Sequence, residues 1–372
     1  MKKFLTFLRQ HRQFLVLFLF PVAWISTYCA AKFVKFTEQV YSQRIYYALR
    51  EIFGRLTGWI PFSLAELILI CGSIMLFIYI IRGALKIVKS NGRRAKQVFF
   101  LIANLICVSV AIYVWFVFVC GINYHRETFA EYAGLYSHPA SVEELSALSE
   151  ELILQMNFTR EKLPEGQDGI CKSTFVSLNE MAEFAASSYN NISSEYSLLG
   201  GYTPKPKLVL LSRVMSVANI TGVYFPYTFE CNVNADIPNF EIPATMMHEI
   251  SHFKGFMREQ EANFISYIAC INSGDDFFCY SGLRLAAVHA TNALYSVNRD
   301  EYQRIMQLTT DGVRRDMRAN SEYWQQFETP VAEVATAMNN TYLRANSQES
   351  GVRSYGEMVD LLLADYRKKT LD

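Results

Sequence analysis

The sequence shows no surplus of either charge, no internal repeat, and no low-complexity or long Gly/Ser-rich segment. Its 35 Lys and Arg residues equal its 35 Asp and Glu residues in number, so the basic excess typical of nucleic-acid-binding proteins is absent. No two of its eight cysteines form a Cys-x-x-Cys pair, which argues against a zinc ribbon held by thiolates. We therefore expect no nucleic-acid partner and no thiolate metal site.

Apolar residues are abundant instead, and three long apolar runs occupy the first third of the 372 residues. They cover, approximately, residues 14–31, 59–81 and 98–122. Each is near the roughly 20 residues that a helix needs to cross a bilayer. The first run contains Pro21 and lacks a clear small-x-small cleavage pattern before Lys32, which favours an uncleaved anchor over a signal peptide. The sequence thus predicts a membrane anchor with three transmembrane helices in residues 1–126 and a domain in residues 127–372.

Basic residues predict the orientation of these helices. Four precede the first run, and six lie between the second and third runs, at positions 82, 86, 89, 93, 94 and 96. The positive-inside rule places both segments in the cytoplasm, although the connection between the first two runs also carries basic residues. The domain after the third run is then extracytoplasmic. Four cysteines there could form two disulfides in any of three pairings: Cys171, Cys231, Cys270 and Cys279.

The domain after the third run has both helical and strand patterns. Ser141 and Ser177 each precede a helical pattern with a glutamate three positions later, as in a capping box. Short strand patterns begin at Pro206 (PKLVLLS) and Tyr227 (YTFECNVNA), and the last helical pattern, SYGEMVDLLLADYRKKT, begins at Ser354. These patterns predict an α+β fold that is mainly α with a small sheet.

The segment HEISH at residues 248–252 carries the chemistry. On a helix, His248 and His252 lie on one face and can present two imidazole nitrogens to one ion. Glu249 is the next residue after His248 and lies beside that face. This HExxH spacing is the pattern of zinc peptidases, in which the glutamate is the general base toward a metal-activated water. The pattern predicts a Zn²⁺ site with two histidine ligands and Glu249 as the catalytic residue.

A third ligand must come from the residues that follow. On an unbroken helix Glu259 would lie seven residues beyond His252, about 10 Å along the axis, and could not reach the same ion. Gly255 is the residue best able to end the helix in a left-handed conformation and turn the chain back. Glu259 and Glu261 then compete. Glu259 is favoured because Asn263 lies four residues later on its face, where an amide can orient a ligating histidine.

HEISH followed by EQEAN resembles the gluzincin arrangement HExxH…ExxA[DN] of zinc metallopeptidases. The wider layout, with PFSLAELIL, GINYHR, GVYFPYTFECNVN and GVRSYGEMVDLLLADYR, is similar over nearly the full chain to an uncharacterised bacterial family of membrane-anchored zincin-like proteins. The resemblance implies zinc ligands at His248, His252 and Glu259. It also implies a general base at Glu249 and a location in the bacterial inner membrane. The short gap between His252 and Glu259 departs from the gluzincin pattern and keeps Glu261 open as a ligand.

The same resemblance implies roles for residues outside the motif. In zincins an edge strand above the active-site helix binds the substrate backbone, and Phe229, Cys231 and Val233 lie along the candidate strand. A buried structural strand is the alternative. His289 or Tyr295 could stabilise an oxyanion, as His or Tyr does in related enzymes, although each is more often a packed helical residue.

We therefore expect a multi-pass membrane protein whose extracytoplasmic zincin-like domain hydrolyses a peptide or protein substrate with zinc. The lipid bilayer is its second expected partner. The alternatives are a non-catalytic membrane sensor or scaffold with a zincin fold, a site that holds zinc only for structure, and a protease acting inside the bilayer. The last is disfavoured because the HExxH motif lies far from the apolar runs and among polar residues.

Overall fold

The computed structural model describes residues 11–90, 92–135, 140–346 and 358–371. Three of its helical segments are long and apolar enough to cross a membrane: Arg12–Lys32, Leu64–Lys89 and Arg94–Val119. The α-helices of this first part are α1 (Leu19–Lys32), α2 (Val34–Phe36), α3 (Tyr47–Gly58), α4 (Leu64–Lys89) and α5 (Arg94–Val119). The three apolar helices that the sequence predicts are therefore present.

Capping sets where the second apolar helix begins. The apolar run starts at Trp59, but α4 starts at Leu64. Ser63 caps the helix, because its hydroxyl accepts a hydrogen bond of 3.0 Å from the backbone N–H of Glu66. The helix boundary thus follows the polar cap and not the start of the hydrophobic sequence.

The chain between α1 and α4 packs against the domain that follows α5. It forms a π-helical stretch, Thr37–Tyr46, and then α3. Glu38 and Arg126 form a buried ion pair with a contact of 2.6 Å. Arg50 is also buried and donates a hydrogen bond of 3.1 Å to the backbone carbonyl of Lys254. The connection lies within the predicted membrane anchor of residues 1–126, and through Arg50 it contacts the domain of residues 127–372.

The described part of the domain contains one three-stranded sheet. Its strands are β1 (Lys207–Val209), β2 (Gly222–Phe225) and β3 (Glu230–Asn234), in the order β1-β3-β2. β3 pairs with β1 in parallel and with β2 in antiparallel orientation, where Tyr224 lies opposite Cys231. β3 is therefore the central strand, and it is buried along its length.

The prediction of a substrate-binding edge strand at Phe229, Cys231 and Val233 is wrong. The last two belong to β3, which has hydrogen-bonded neighbours on both sides and offers no free edge. All three side chains are buried. The structure shows the alternative, a buried structural strand, and the edges of the sheet are β1 and β2.

Helices form most of the remaining described chain. They are α6 (Phe129–Ala133), α7 (Val142–Arg160), α8 (Leu178–Ser188), α9 (Ser212–Val217), α10 (Ile242–Phe253), α11 (Glu259–Ile271), α12 (Asp276–Val297), α13 (Arg299–Gln307), α14 (Asp311–Gln325), α15 (Pro330–Ala345) and α16 (Met358–Leu371). Ser141 and Ser177 cap α7 and α8 as predicted. α12 packs along α7, and α11 packs against both α10 and α12. The helix predicted from Ser354 is α16, and its predicted start lies outside the described residues.

The cysteines of the domain do not form the disulfides that the sequence left open. Cys171, Cys231, Cys270 and Cys279 are all free. The first three are buried and Cys279 is half-buried. Stability of the domain therefore rests on packing, hydrogen bonds and ion pairs.

Glu230 in β3 joins the sheet to the start of α4. Its carboxylate accepts hydrogen bonds from the backbone N–H groups of Leu64 at 3.2 Å and Ala65 at 2.8 Å. It also forms a buried ion pair with Lys207. Free N–H groups and the helix macrodipole stabilise a negative charge at a helix N-terminus. The sheet thereby fixes the N-terminal end of the second apolar helix.

Replacing Glu230 with Ala should destabilise the protein, because it leaves the buried Lys207 ammonium without its carboxylate. Removal of one partner from a buried ion pair typically costs about 3–5 kcal/mol, and we expect a loss of that order in the free energy of unfolding. Denaturant unfolding of the full-length chain in detergent micelles, followed by circular dichroism, measures it. Glu183→Ala is the matched control, since its ion pair with Lys205 is exposed. Equal losses in the two variants would contradict the role of Glu230.

Candidate metal centre

The chain reverses direction between α10 and α11, as predicted. α10 ends at Phe253 and α11 begins at Glu259. Gly255 has a φ of +99°, in the region that favours glycine, and its backbone N–H donates a hydrogen bond of 2.9 Å to the carbonyl of His252. The turn therefore brings the first residue of α11 back toward the end of α10.

Two side chains from outside this segment cover the turn. A Cβ atom at Gly255 would lie 3.1 Å from the Tyr46 ring and 3.1 Å from the Arg126 guanidinium, so a larger residue would force a shift. The Tyr46 hydroxyl donates a hydrogen bond of 3.1 Å to the carbonyl of Phe253 and lies 3.0 Å from the hydroxyl of Tyr224. Tyr46 therefore links the end of α10 to strand β2.

The reversal brings His248, His252 and Glu259 together. One possible ligand atom from each residue lies within 4.8 Å of the other two. The distances from His248 Nε2 and His252 Nε2 to the Glu259 carboxylate oxygens are 3.3 and 3.6 Å. Donors bound about 2.0–2.1 Å from a tetrahedral zinc ion lie about 3.3 Å apart, so these residues fit such an ion.

Both histidines form a hydrogen bond through Nδ1, which leaves Nε2 facing Glu259. His252 Nδ1 lies 2.8 Å from the carbonyl oxygen of Phe256, which can only accept, so Nδ1 carries the proton and Nε2 keeps its lone pair. His248 Nδ1 lies 2.8 Å from Asn263 Oδ1, and an amide oxygen accepts, so Nδ1 of His248 is the donor. Asn263 is thus placed to orient a ligating histidine, the role that the sequence predicts for it.

Glu261, the alternative third ligand, is engaged elsewhere. Its Oε1 accepts hydrogen bonds from the backbone N–H of Phe129 at 2.9 Å and from Arg258 Nη1 at 3.0 Å. These contacts tie the start of α11 to α6. Among the described residues, the cluster of side chains that could hold a metal ion contains Glu259 and not Glu261.

Glu249, the predicted general base, has its carboxylate against β2. Gly222 makes room for it, because a Cβ atom at that position would overlap with Glu249 Oε1. Burial raises the pKa of the Glu249 carboxyl to about 8, although the charge of His248 and a hydrogen bond from the backbone of Tyr224 act in the opposite direction. A carboxyl group that titrates near neutral pH is suited to general acid–base chemistry.

The pKa values of the two imidazoles in the cluster are shifted in opposite directions. Burial lowers the pKa of His252 to about 4, and the neighbouring His248 adds to this effect. Burial also acts to lower the pKa of His248, but the hydrogen bond and charge of Glu259 outweigh it and raise that pKa. Since histidine binds metal in its neutral form, a cation at this site would compete with the proton on His248.

The cluster opens onto a cavity of about 970 Å³. β2 lines one side of it, from Gly222 to Phe225, and α15 contributes residues between Ala335 and Tyr342. Phe116, near the end of α5, also lines the cavity, so the third apolar helix reaches the site. The β2 residues lie at the start of the stretch GVYFPYTFECNVN, which carries part of the family resemblance, whereas Phe116 and the α15 residues belong to no motif that could have marked them in the sequence.

His289 and Tyr295, the predicted oxyanion residues, lie on α12 and are not among the described residues that line the cavity. α12 lines the cavity with Ser281, Arg284 and Leu285. His289 lies one helical turn beyond Leu285, about 6 Å along the axis, and Tyr295 lies about 15 Å beyond it. Tyr124 and Tyr342 do line the cavity, and their hydroxyl groups lie 2.9 Å apart.

The fold and the site define a mainly helical protein with three helices apolar enough to span a membrane and a two-histidine, one-glutamate cluster beside a cavity. The chain belongs to a known family, since residues 41–363 match the family described as Protein of unknown function (DUF3810). The matched region includes Tyr46 as well as the whole cluster. The expected kinship with a family of unknown function is confirmed. No curated protein and no solved structure shows a significant match to the chain.

Glu259→Ala should abolish tight zinc binding, because it removes one of three ligands, whereas Glu261→Ala should retain zinc. Elemental analysis of the full-length chain in detergent, after equilibrium dialysis against zinc, measures both. Glu261→Ala is a matched control because it removes a second carboxylate from the same turn of α11. Zinc that stays with Glu259→Ala and is lost from Glu261→Ala would reverse the assignment of the third ligand.

Proposed function

We propose that the protein is a membrane-anchored zinc metallopeptidase, a hydrolase that cleaves peptide bonds with a zincin-like domain. The observation that carries the proposal is the convergence of His248, His252 and Glu259 at the wall of an open cavity that also contains Glu249. Structural zinc sites are usually closed by four protein ligands. The described residues offer three here, which leaves a position for water or substrate.

Each residue of the site would have a separate role in peptide hydrolysis. Zinc, when bound, would lower the pKa of a water molecule and polarise the carbonyl of the scissile bond. Glu249 would accept a proton from the attacking water and transfer it to the departing amine. Asn263 and the carbonyl of Phe256 hold the two imidazoles in the orientation that binding requires.

Strand β2 supports a peptide as the substrate. It pairs with β3 on one side only, and its residues from Gly222 to Phe225 line the cavity beside the cluster. An extended peptide could pair with this free edge and place a peptide bond near Glu249. The substrate edge is thus β2, which lies earlier in the chain than the strand the sequence predicts.

The proposed location is the bacterial inner membrane, with the domain on its extracytoplasmic side. The connection between α1 and α4 packs against the domain, which requires both to lie at the same end of the apolar helices. The basic residues between α4 and α5 then lie at the opposite end, where the positive-inside rule places the cytoplasm.

Glu249→Gln should lower the rate of peptide hydrolysis by about 10²–10⁴-fold, the usual contribution of a general base, and should leave the zinc content unchanged. Hydrolysis of casein or a peptide library by the full-length chain in detergent micelles measures the rate. Glu183→Gln, an exposed glutamate, is the control. Zinc-loaded wild-type protein without hydrolysis would favour a non-catalytic sensor or scaffold, and an active Glu249→Gln variant would exclude the proposed general base.

Gly222→Ala should reduce hydrolysis while zinc stays bound, because the added Cβ displaces the Glu249 carboxylate. A displacement of about 1 Å can lower the rate by about 10²-fold. The same assay applies, with Gly72→Ala as the matched control, since a Cβ atom added at Gly72 would meet nothing within 4 Å. Wild-type activity in Gly222→Ala would show that contact with this strand does not set the position of Glu249.

A further inference from the structure

An exposed apolar patch lies beside the first turn of α4. It consists of Leu210 and Leu211, which follow β1, and Val214 in α9, and we call it the Leu210 patch. Leu210 is 87% exposed, Val214 is 61% exposed and Leu211 is 48% exposed. Three large apolar side chains close together on one surface, exposed to this degree, indicate a surface that is covered in the cell.

Hydrogen bonds fix the position of this patch relative to α4. The Glu66 carboxylate accepts hydrogen bonds from the backbone N–H groups of Leu210 at 3.0 Å and Leu211 at 2.7 Å. Glu66 belongs to the first turn of α4. The Leu210 patch therefore lies at the level of that turn.

The length of α4 shows where this level falls in a bilayer. No charged residue occurs between Glu66 and Arg82. A helix needs about 20 residues to cross roughly 30 Å of hydrocarbon, so the hydrocarbon boundary must lie within about one turn of Glu66. The two backbone N–H groups supply hydrogen bonds that the Glu66 carboxylate needs at this depth.

Aromatic residues mark the same level. Trp59 is 89% exposed and Phe62 is 49% exposed, and both lie just before α4. Trp is enriched at membrane–water interfaces, where its ring sits among the headgroups. These side chains place the first turn of α4, and with it the Leu210 patch, at the level of the membrane interface.

We propose that the Leu210 patch inserts into the lipid bilayer at the extracytoplasmic end of α4 and forms a second contact of the domain with lipid. The proposal needs α4 to span the membrane, and it is independent of zinc binding and peptidase activity. Contact through both the apolar helices and this patch fixes the tilt of the domain relative to the bilayer.

Photo-crosslinking to lipid tests the proposal. The full-length chain carries benzoylphenylalanine in place of Leu210 or Val214 and is reconstituted in vesicles of phosphatidylethanolamine and phosphatidylglycerol. After irradiation, mass spectrometry of the peptides quantifies lipid adducts. The same label in place of Leu67 in α4 is the positive control. A label in place of Leu154 is the matched negative control, since Leu154 is 50% exposed on α7, away from the apolar helices.

The expected result is a lipid-adduct yield at positions 210 and 214 comparable to that at position 67 and several-fold above that at position 154. Yields at 210 and 214 no higher than at 154 would overturn the proposal. Cross-links from these positions to a second copy of the chain, in place of lipid, would also overturn it.

Discussion

The candidate centre depends on one backbone reversal, at Gly255. Without it, Glu259 would continue along the axis of α10 and leave the two histidines without a third ligand. The positive φ of Gly255 permits the turn, and the Tyr46 ring and the Arg126 guanidinium pack over it closely. Because these two residues come from the connection after α1 and from the chain just after α5, contacts distant in sequence support the local geometry of the site.

Buried ion pairs fix the relative positions of the segments that make these distant contacts. Glu38 pairs with Arg126, and Glu230 pairs with Lys207 while it caps α4. Such pairs add little net stability compared with apolar packing, but an unpaired buried charge is strongly unfavourable, so they select one arrangement of the elements they join. Glu38 connects the chain after α1 to the chain just after α5, and Glu230 connects the sheet to the start of α4. The apolar helices and the candidate centre therefore form one structural unit and not two independent ones.

Features set by local sequence could be predicted, and those set by distant contacts could not. The caps at Ser141 and Ser177, the HExxH spacing and the break at Gly255 depend on residues within a few positions, and the structure shows all of them. The alternation in YTFECNVNA indicates a strand but cannot tell a central strand from an edge, because strand order depends on pairing with residues elsewhere in the chain. Tyr46 also carried no local signal, since its role depends entirely on tertiary packing.

The contacts also connect the apolar helices to Glu249 through the sheet. Glu230 binds the start of α4, β3 carries Glu230 and pairs with β2, and Gly222 of β2 lies against the Glu249 carboxylate. Protein interiors are close-packed, so a displacement of α4 would be transmitted through Glu230 to the sheet and would move β2 with it. The position of Glu249, the candidate general base, thus depends partly on the position of the second apolar helix. A change in the arrangement of the apolar helices would therefore change the geometry of the candidate centre.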